Sequence, residues 1–148
     1  MAGLNANIAT VFDKIKNMFS FQDYLQLWLR AWVARIFYDS GRMKTGEGFL
    51  EINDFQGTLF EEEYGLSFVD PEILAQITLY AETFLPLALL FGIGSRISAA
   101  GLLGMTLFIQ VFVYSGHFLE HATWAIALLA VFLCGPGRIA IDSFFLKK

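Results

Sequence analysis

Three long apolar stretches constrain most strongly what this chain can fold into. They cover residues 73–94, 97–115 and 119–135, and only a few residues separate one from the next. Each has about the 17 to 25 residues that an α-helix needs to cross the hydrocarbon core of a bilayer. The sequence therefore predicts an all-α membrane protein with three consecutive spanning helices.

The composition of the whole chain fits this class and excludes several others. Of the 148 residues, 56% are hydrophobic and 16 are Phe, which is more apolar than a water-soluble domain of this size. The net charge of −4, without a basic run or a glycine-rich phosphate loop, argues against nucleic-acid binding. A single cysteine, Cys134, excludes an internal disulfide. We expect one domain, residues 1–148, embedded in the lipid bilayer.

A fourth stretch, residues 24–41, is aromatic and aliphatic but carries Arg30, Arg35 and Asp39. A charge at the centre of a spanning helix costs about 2.5 to 3.5 kcal/mol, whereas each Leu, Ile or Phe returns only about 0.3 to 0.6 kcal/mol. We expect this helix to insert as the first span of a four-transmembrane-helix bundle, with its charges turned inward. Steps of three or four residues place five side chains on one face: Trp28, Trp32, Arg35, Asp39 and Arg42. This spacing predicts an Arg35–Asp39 pair on a buried face, with Arg30 off that face and extended toward lipid headgroups.

The basic residues in the flanks predict the orientation, because Lys and Arg concentrate on the cytoplasmic side. With both termini cytoplasmic, that side holds most of the basic residues: Lys14, Lys16, Arg96, Arg138, Lys147 and Lys148. The other side then holds only Arg42 and Lys44. We therefore expect a multi-pass protein with both termini in the cytoplasm.

Three further segments complete the predicted topology. Residues 4–20 carry apolar side chains at helical spacing, which indicates an amphipathic helix on the cytoplasmic surface. Residues 42–72 form a long acidic outer loop, with a short interfacial helix around Phe55 and Leu59. Residues 136–148 form a cytoplasmic tail.

Polar side chains are predicted to converge on the outer half of the bundle. Glu82 lies near the middle of the second span, and Pro86 removes the amide that would bond the Glu82 carbonyl oxygen. We expect Glu82 to meet Arg35 or its neighbours, either as a structural counter-ion or as a functional group. The later spans add Gln110, Tyr114 and His121.

His117 and His121 raise the alternative of a metal site, because residues four apart share a helical face. The Ser-Gly pair before them interrupts the helix, and a structural zinc ion needs four nitrogen or sulfur ligands. Proton-carrying or surface roles are favoured for both histidines, and no metal ligand is assigned.

Four stretches make the chain resemble a known family. They are RAWVARIFYDSGRMK (30–44), EEYGL (62–66), DPEILAQITLYAETFLPLALLFGIGSRISAAGLLGMTLFIQVFVY (70–114) and HATWAIALLAVFLCGPGRIAID (121–142). The third is the most specific, with Tyr-Ala-Glu-x-x-x-Pro followed by Gly-x-x-x-Arg. Over about residues 25–142 the chain is similar to the DoxX family of bacterial four-helix membrane proteins. The resemblance implies a place in the bacterial inner membrane.

The resemblance also implies a link to quinones. The family takes its name from a quinol-oxidase-associated subunit, and its relatives include the membrane subunit of thiosulfate:quinone oxidoreductase. Five residues of this chain match recurrent polar positions of the family: Arg35, Asp39, Glu82, Gln110 and His121.

The leading hypothesis is therefore the membrane subunit of a quinone-linked oxidoreductase, with electrons exchanged through a partner redox protein or a soluble substrate. The predicted catalytic residues are Glu82, Arg35 and Asp39. The predicted quinone-binding residues are Gln110, Tyr114, His121, Trp32 and Trp124. A non-catalytic membrane partner of a redox, stress or metal-peptide maturation enzyme is the alternative, followed by a small solute or metal carrier. Homo-oligomerisation stays open.

Overall fold

The structure is a computed structural model that describes residues 20–64 and 70–145. Within this part of the chain, six α-helices follow one another: α1 (Phe21–Met43), α2 (Phe55–Tyr64), α3 (Pro71–Phe91), α4 (Ser95–Phe108), α5 (Phe118–Cys134) and α6 (Asp142–Phe145). A π-helical turn, Ile109–Val113, continues α4, and a 3₁₀ turn, Ser115–His117, leads into α5. The predicted amphipathic helix over residues 4–20 lies, except for Ser20, outside the described residues.

Three of these stretches are long and apolar enough to cross a membrane. They are Pro71–Phe91, Ser95–Val113 and Ser115–Cys134, and they correspond to the three predicted apolar spans. The predicted all-α membrane class is confirmed. Helix α1 covers the predicted range 24–41 but is not among these three, since its charges lower its hydropathy.

The sequence explains where α3 begins and ends. Asp70 caps its first turn by accepting hydrogen bonds from the amides of Glu72 and Ile73, and Pro71 takes the first helical position. Gly92 ends the helix with a φ of 73°, in the left-handed region that favours glycine. A Cβ atom at Gly92 would lie 2.5 Å from the Cβ of Ala140, so no larger residue fits there.

The apolar core lies where α1, α3, α4 and α5 meet. Helix α1 packs mainly on α3, and α5 packs mainly on α4. The fully buried members of the core are Val33, Phe37, Leu89, Ala99, Leu102, Leu128 and Val131.

The two ends of the bundle are built differently. The Gly92 end holds the start of α1, the α3–α4 turn and residues 135–142. The α2 end holds α2, the start of α3 and the turn at residues 114–117.

At the Gly92 end, Arg30 joins three segments of the chain. Its side chain is 0% exposed, and it donates hydrogen bonds to the carbonyl oxygens of Leu89, Leu90 and Ile139. The prediction that Arg30 extends to lipid headgroups is therefore wrong. Arg30 shares the helical face of Val33 and Phe37. The last carbonyl groups of α3 lack the regular i+4 partner, so a buried guanidinium supplies a donor to them, and Leu89 accepts in addition from the cap amide of Gly92.

Two carboxylates, those of Asp142 and Asp23, form further hydrogen bonds at the Gly92 end. Asp142 accepts hydrogen bonds from the amides of Gly94 and Ser95, at 2.8 and 2.7 Å. Burial acts to raise the pKa of the Asp142 carboxyl, but the hydrogen bonds from Ser95 and Gly94 lower it overall. Asp23 binds both the amide and the guanidinium of Arg138, and these bonds, with those from Ser20, likewise overcome burial and hold its pKa well below the usual range.

Toward the α2 end, α1 stops short of the full length of α3. A Cβ atom at Gly41 would lie 3.1 Å from the Cβ of Glu82, so the last turn of α1 packs closely against the middle of α3. Glu82 lies about 16 Å along the helix from Pro71, at about 1.5 Å per residue. Residues 44–53 fold back over this remaining half of α3, where Gln76 donates to the carbonyl oxygen of Leu50 at 3.0 Å. Helix α2 packs beside them.

Candidate functional site

Arg35 and Asp39 pair with each other, as predicted, but on the surface of the bundle. Their side chains are hydrogen-bonded and are 77% and 48% exposed. The prediction that this pair faces the interior is wrong. The buried face of α1 is formed by Arg30, Val33, Ala34, Phe37 and Gly41, and the helical repeat turns Arg35 and Asp39 away from it.

Glu82 is buried, with 2% exposure, and its carboxylate is bound by Lys44 and Ser40. Lys44 Nζ lies 2.6 Å from Oε2, and Ser40 Oγ donates to Oε1 at 3.2 Å. The prediction was that Glu82 meets Arg35 or its neighbours, and Arg35 is not the partner: Ser40, on the same helix, and Lys44, just beyond its end, bind the carboxylate. Because α1 ends at the level of Glu82, the residue just beyond the helix, Lys44, reaches the carboxylate.

Arg42 ties the same region to the loop. Its guanidinium donates to the carbonyl oxygen of Phe49 at 2.6 Å and to the hydroxyl of Thr83 on α3. It also lies over the ring of Phe49, with 4.1 Å from Cζ to the ring centroid. We call Ser40, Arg42, Lys44, Glu82 and Thr83 the Glu82 cluster. Both carboxylate oxygens of Glu82 have partners within this cluster.

A second polar group lies between the end of α4 and the start of α5. His121 is 5% exposed, and its Nδ1 lies 2.7 Å from Oε1 of Gln110. The amide nitrogen of Gln110 donates to the carbonyl oxygen of Ser115 at 2.7 Å. The ring of Trp124 lies edge-on to His121, with 5.0 Å between centroids. We call Gln110, His121 and Trp124 the His121 cluster.

The π-helical turn explains how Gln110 reaches His121. A π turn inserts an extra residue into the helical repeat and shifts the side chains that follow, and such turns occur frequently at functional sites. Gln110 lies within this turn, and α5 begins only after the 3₁₀ turn. The predicted interruption of the helix before His117 is thus found in the structure.

An apolar groove of about 230 Å³ runs beside the His121 cluster. It is lined by Thr106, Leu107, Gln110, Phe118, His121, Ala122, Ala125 and Ile126. Leu107, Phe118 and Ile126 are largely exposed on helices that are apolar enough to span a membrane. The groove therefore opens toward the lipid, and Gln110 and His121 are among the residues that line it.

The predicted site residues fall into separate places. Gln110, His121 and Trp124 come together, and Tyr114 lies nearby, with its ring 5.8 Å from that of His117. Trp32 is exposed on α1, a helix that contributes no residue to the groove beside the His121 cluster. Glu82 lies in its own cluster, and Arg35 lines a different groove, next to Pro86 and Tyr38.

Lys44 and Ser40 were missed as partners of Glu82. Their spacing of four residues at the end of α1 was the available signal. In the sequence analysis Lys44 enters only as one of the basic residues that predict the orientation.

A family model matches residues 25–115 of the chain, and the family is DoxX. The match covers more than half of the 148 residues and includes all of α1 but its first four residues, α2 to α4 and the π-helical turn. The chain belongs to the DoxX family. In this DoxX protein the matched region contains Glu82 and Gln110, whereas His121 lies beyond it. Neither a curated protein nor a solved structure matches the chain.

Proposed function

We propose that this DoxX protein is the membrane subunit of a quinone-linked oxidoreductase system and that the quinone ring binds at the His121 cluster. The observation that carries the proposal is the hydrogen bond between Gln110 and His121, two residues that line an apolar groove open toward lipid. Small-molecule sites are typically apolar, with a few placed polar groups. An isoprenoid quinone, whose tail stays in the bilayer, matches such an entrance.

The residues fit a single substituted ring. A groove of about 230 Å³ is somewhat below the usual range for drug-sized ligands, of about 300 to 1,000 Å³, so it suits a headgroup whose tail remains in the lipid. His121 would bind a ring oxygen, Phe118 would pack on the ring, and Trp124 would hold His121 in place from behind. The quinone accepts or gives two electrons when bound, and a partner redox protein or a soluble substrate would exchange them.

Glu82 has a different role in this proposal. Both of its carboxylate oxygens already have partners, so we assign it to holding α1 against α3. The catalytic roles of Glu82, Arg35 and Asp39, the ring-packing role of Trp32 and the role of Tyr114 as a polar quinone-binding residue stay predictions. So does the orientation in the bacterial inner membrane with both termini in the cytoplasm.

The test is mass spectrometry of quinone that co-purifies with the protein after gentle extraction from its native membrane. We expect near-stoichiometric quinone in the wild type and its loss in His121→Phe. His117→Phe is the matched control, because His117 is exposed on the neighbouring turn and should keep the quinone. A wild type without quinone, or a His121→Phe variant that keeps it in full, would overturn the proposal.

A non-catalytic partner role is the second candidate, and the exposed Arg35–Asp39 pair favours it. Charged side chains of membrane helices usually face protein or a water-filled cavity rather than lipid. Trp28 and Trp32 are exposed on the same helix, so this surface suits the helix of another membrane protein. A protein that co-purifies in fixed ratio with the wild type, but not with an Arg35→Ala/Asp39→Ala variant, would support this role. Equal recovery from both would argue against it.

A further inference from the structure

We infer that the groove beside the His121 cluster binds the hydroxyl-bearing quinol more tightly than the carbonyl-bearing quinone, because His121 offers it a hydrogen-bond acceptor. This inference rests on the proposed function and adds the redox form that the site prefers. It follows from the hydrogen-bond chain that runs from Ser115 through Gln110 to His121.

The first step fixes the orientation of the Gln110 amide. The carbonyl oxygen of Ser115 can only accept a hydrogen bond, so the Gln110 atom 2.7 Å away must be the amide nitrogen. The other amide atom, Oε1, therefore faces His121.

The second step fixes the tautomer of His121. Oε1 of Gln110 can only accept, so the Nδ1 atom 2.7 Å away must carry the hydrogen. An imidazole that is 5% exposed among apolar side chains is held in its neutral form, since a charge there would be poorly solvated. A neutral imidazole has one N–H group, so Nε2 has a free lone pair.

The third step concerns what that lone pair can bind. Among the described residues, the hydrogen bond to Gln110 is the one that His121 makes. His121 is among the residues that line the groove, so Nε2 is the one ring acceptor that it has left for a ligand bound there. A quinol hydroxyl can donate a hydrogen bond to such an atom. A quinone carbonyl oxygen is itself an acceptor, so it can form no hydrogen bond with Nε2.

The size of the preference follows from one hydrogen bond gained or lost. One hydrogen bond gained with the quinol, and a facing pair of acceptors avoided, lead us to expect about a tenfold preference for the quinol. Tighter binding of the reduced form makes the bound couple easier to reduce. A tenfold ratio corresponds to about +30 mV for a two-electron couple.

The test compares two ligands on the purified full-length protein in lipid nanodiscs. A short-tailed benzoquinol and the matching benzoquinone are titrated by calorimetry under anaerobic conditions. We expect the quinol to bind about tenfold more tightly to the wild type and to the His117→Phe control. Gln110→Leu frees His121 to adopt either tautomer, so both ligands should still bind, and the ratio of the quinol affinity to the quinone affinity should fall toward 1. His121→Phe should lose the preference altogether.

The outcomes separate this inference from the proposed function. Equal or tighter binding of the quinone to the wild type, weakened by His121→Phe, would overturn the quinol preference and leave the quinone site in place. An unchanged preference in both Gln110→Leu and His121→Phe would overturn the assignment to His121. Binding of neither ligand to the wild type would overturn the inference together with the proposed function.

Discussion

The Glu82 cluster and the His121 cluster each bury one titratable side chain, but they leave different hydrogen-bonding groups free. Both carboxylate oxygens of Glu82 are occupied by Ser40 and Lys44. His121 uses one ring nitrogen on Gln110, and it is among the residues that line an apolar groove. A buried polar group whose hydrogen-bonding atoms all have partners in its own chain stabilises the fold. A buried group with one hydrogen-bonding atom left over can bind a ligand.

The largest effect that this comparison predicts comes from breaking the Lys44–Glu82 pair. Glu82→Leu should destabilise the protein by about 3 to 5 kcal/mol, because it leaves the ammonium group of Lys44 unpaired in a largely buried place. Glu82→Leu/Lys44→Met should be clearly more stable than Glu82→Leu, since it removes both charges. Unfolding by denaturant in micelles measures these two variants and the single variant Lys44→Met. A double variant as unstable as the sum of the two single ones would show that the pair does not act as a unit.

The next effect concerns Arg30 at the Gly92 end. Arg30→Met should cost about 2 to 3 kcal/mol, because the carbonyl oxygens of Leu89, Leu90 and Ile139 lose a charged donor in a buried place. Arg30→Lys keeps the charge but has a single nitrogen, so we expect it to recover part of the loss. The same unfolding assay compares the three proteins. Full stability in Arg30→Met would contradict the assigned role.

A smaller effect, dependent on pH, is expected at Asp142. Its pKa is lower in the folded protein, so its contribution to stability is complete above about pH 4, the usual value for an unfolded Asp, and is lost as the pH falls further. Asp142→Asn should cost about 1 kcal/mol at neutral pH, as for the loss of a helix cap, and should lose less stability on acidification than the wild type. Unfolding midpoints from pH 7 down to pH 3 test this.

Asp23→Asn is the companion variant for that experiment. The pKa of Asp23 is also lowered, so the Asp23→Asn variant should likewise lose less stability than the wild type as the pH falls. If the unfolding midpoints of the wild type and of both variants change equally from pH 7 to pH 3, neither carboxylate contributes to the pH dependence.

The smallest effect on stability is expected at the His121 cluster itself. His121→Phe removes one hydrogen bond and leaves a neutral amide oxygen, so the cost should be at most about 1 kcal/mol, although ligand binding should be lost. The same unfolding assay gives the first quantity, and quinone retention gives the second. A loss as large as that of Glu82→Leu would remove the distinction between the two clusters.

Length and hydropathy were sufficient to predict the three apolar spans and the membrane class. Family motifs around Glu82 and Pro86 were sufficient to predict the DoxX family. In both cases the signal is local, since it depends on residues that are close together in the sequence.

The face that α1 buries could not be predicted in the same way. The residues from Trp28 to Arg42 and those from Arg30 to Gly41 both recur at steps of three and four, so periodicity defines two faces without saying which one is inside. The burial of Arg30 depends on acceptors in residues 89–90 and 139, and the pairing of Glu82 depends on where α1 stops. The Gln110–His121 contact depends on the π-helical turn, for which the sequence carries no recognisable signature.

The position of Arg30 also constrains the order in which the protein can assemble. Its hydrogen bond to Ile139 joins residues 109 positions apart, near the two ends of the described chain. Among the described helices α1 is made first, yet the partners of its buried polar residues, in α3 and after α5, are made later. During synthesis Arg30 can therefore bond Leu89 and Leu90 only after α3 is made, and Ile139 only after α5 is made. Among the described helices, the least hydrophobic of the long ones would then be made before the others and be the last to complete its contacts.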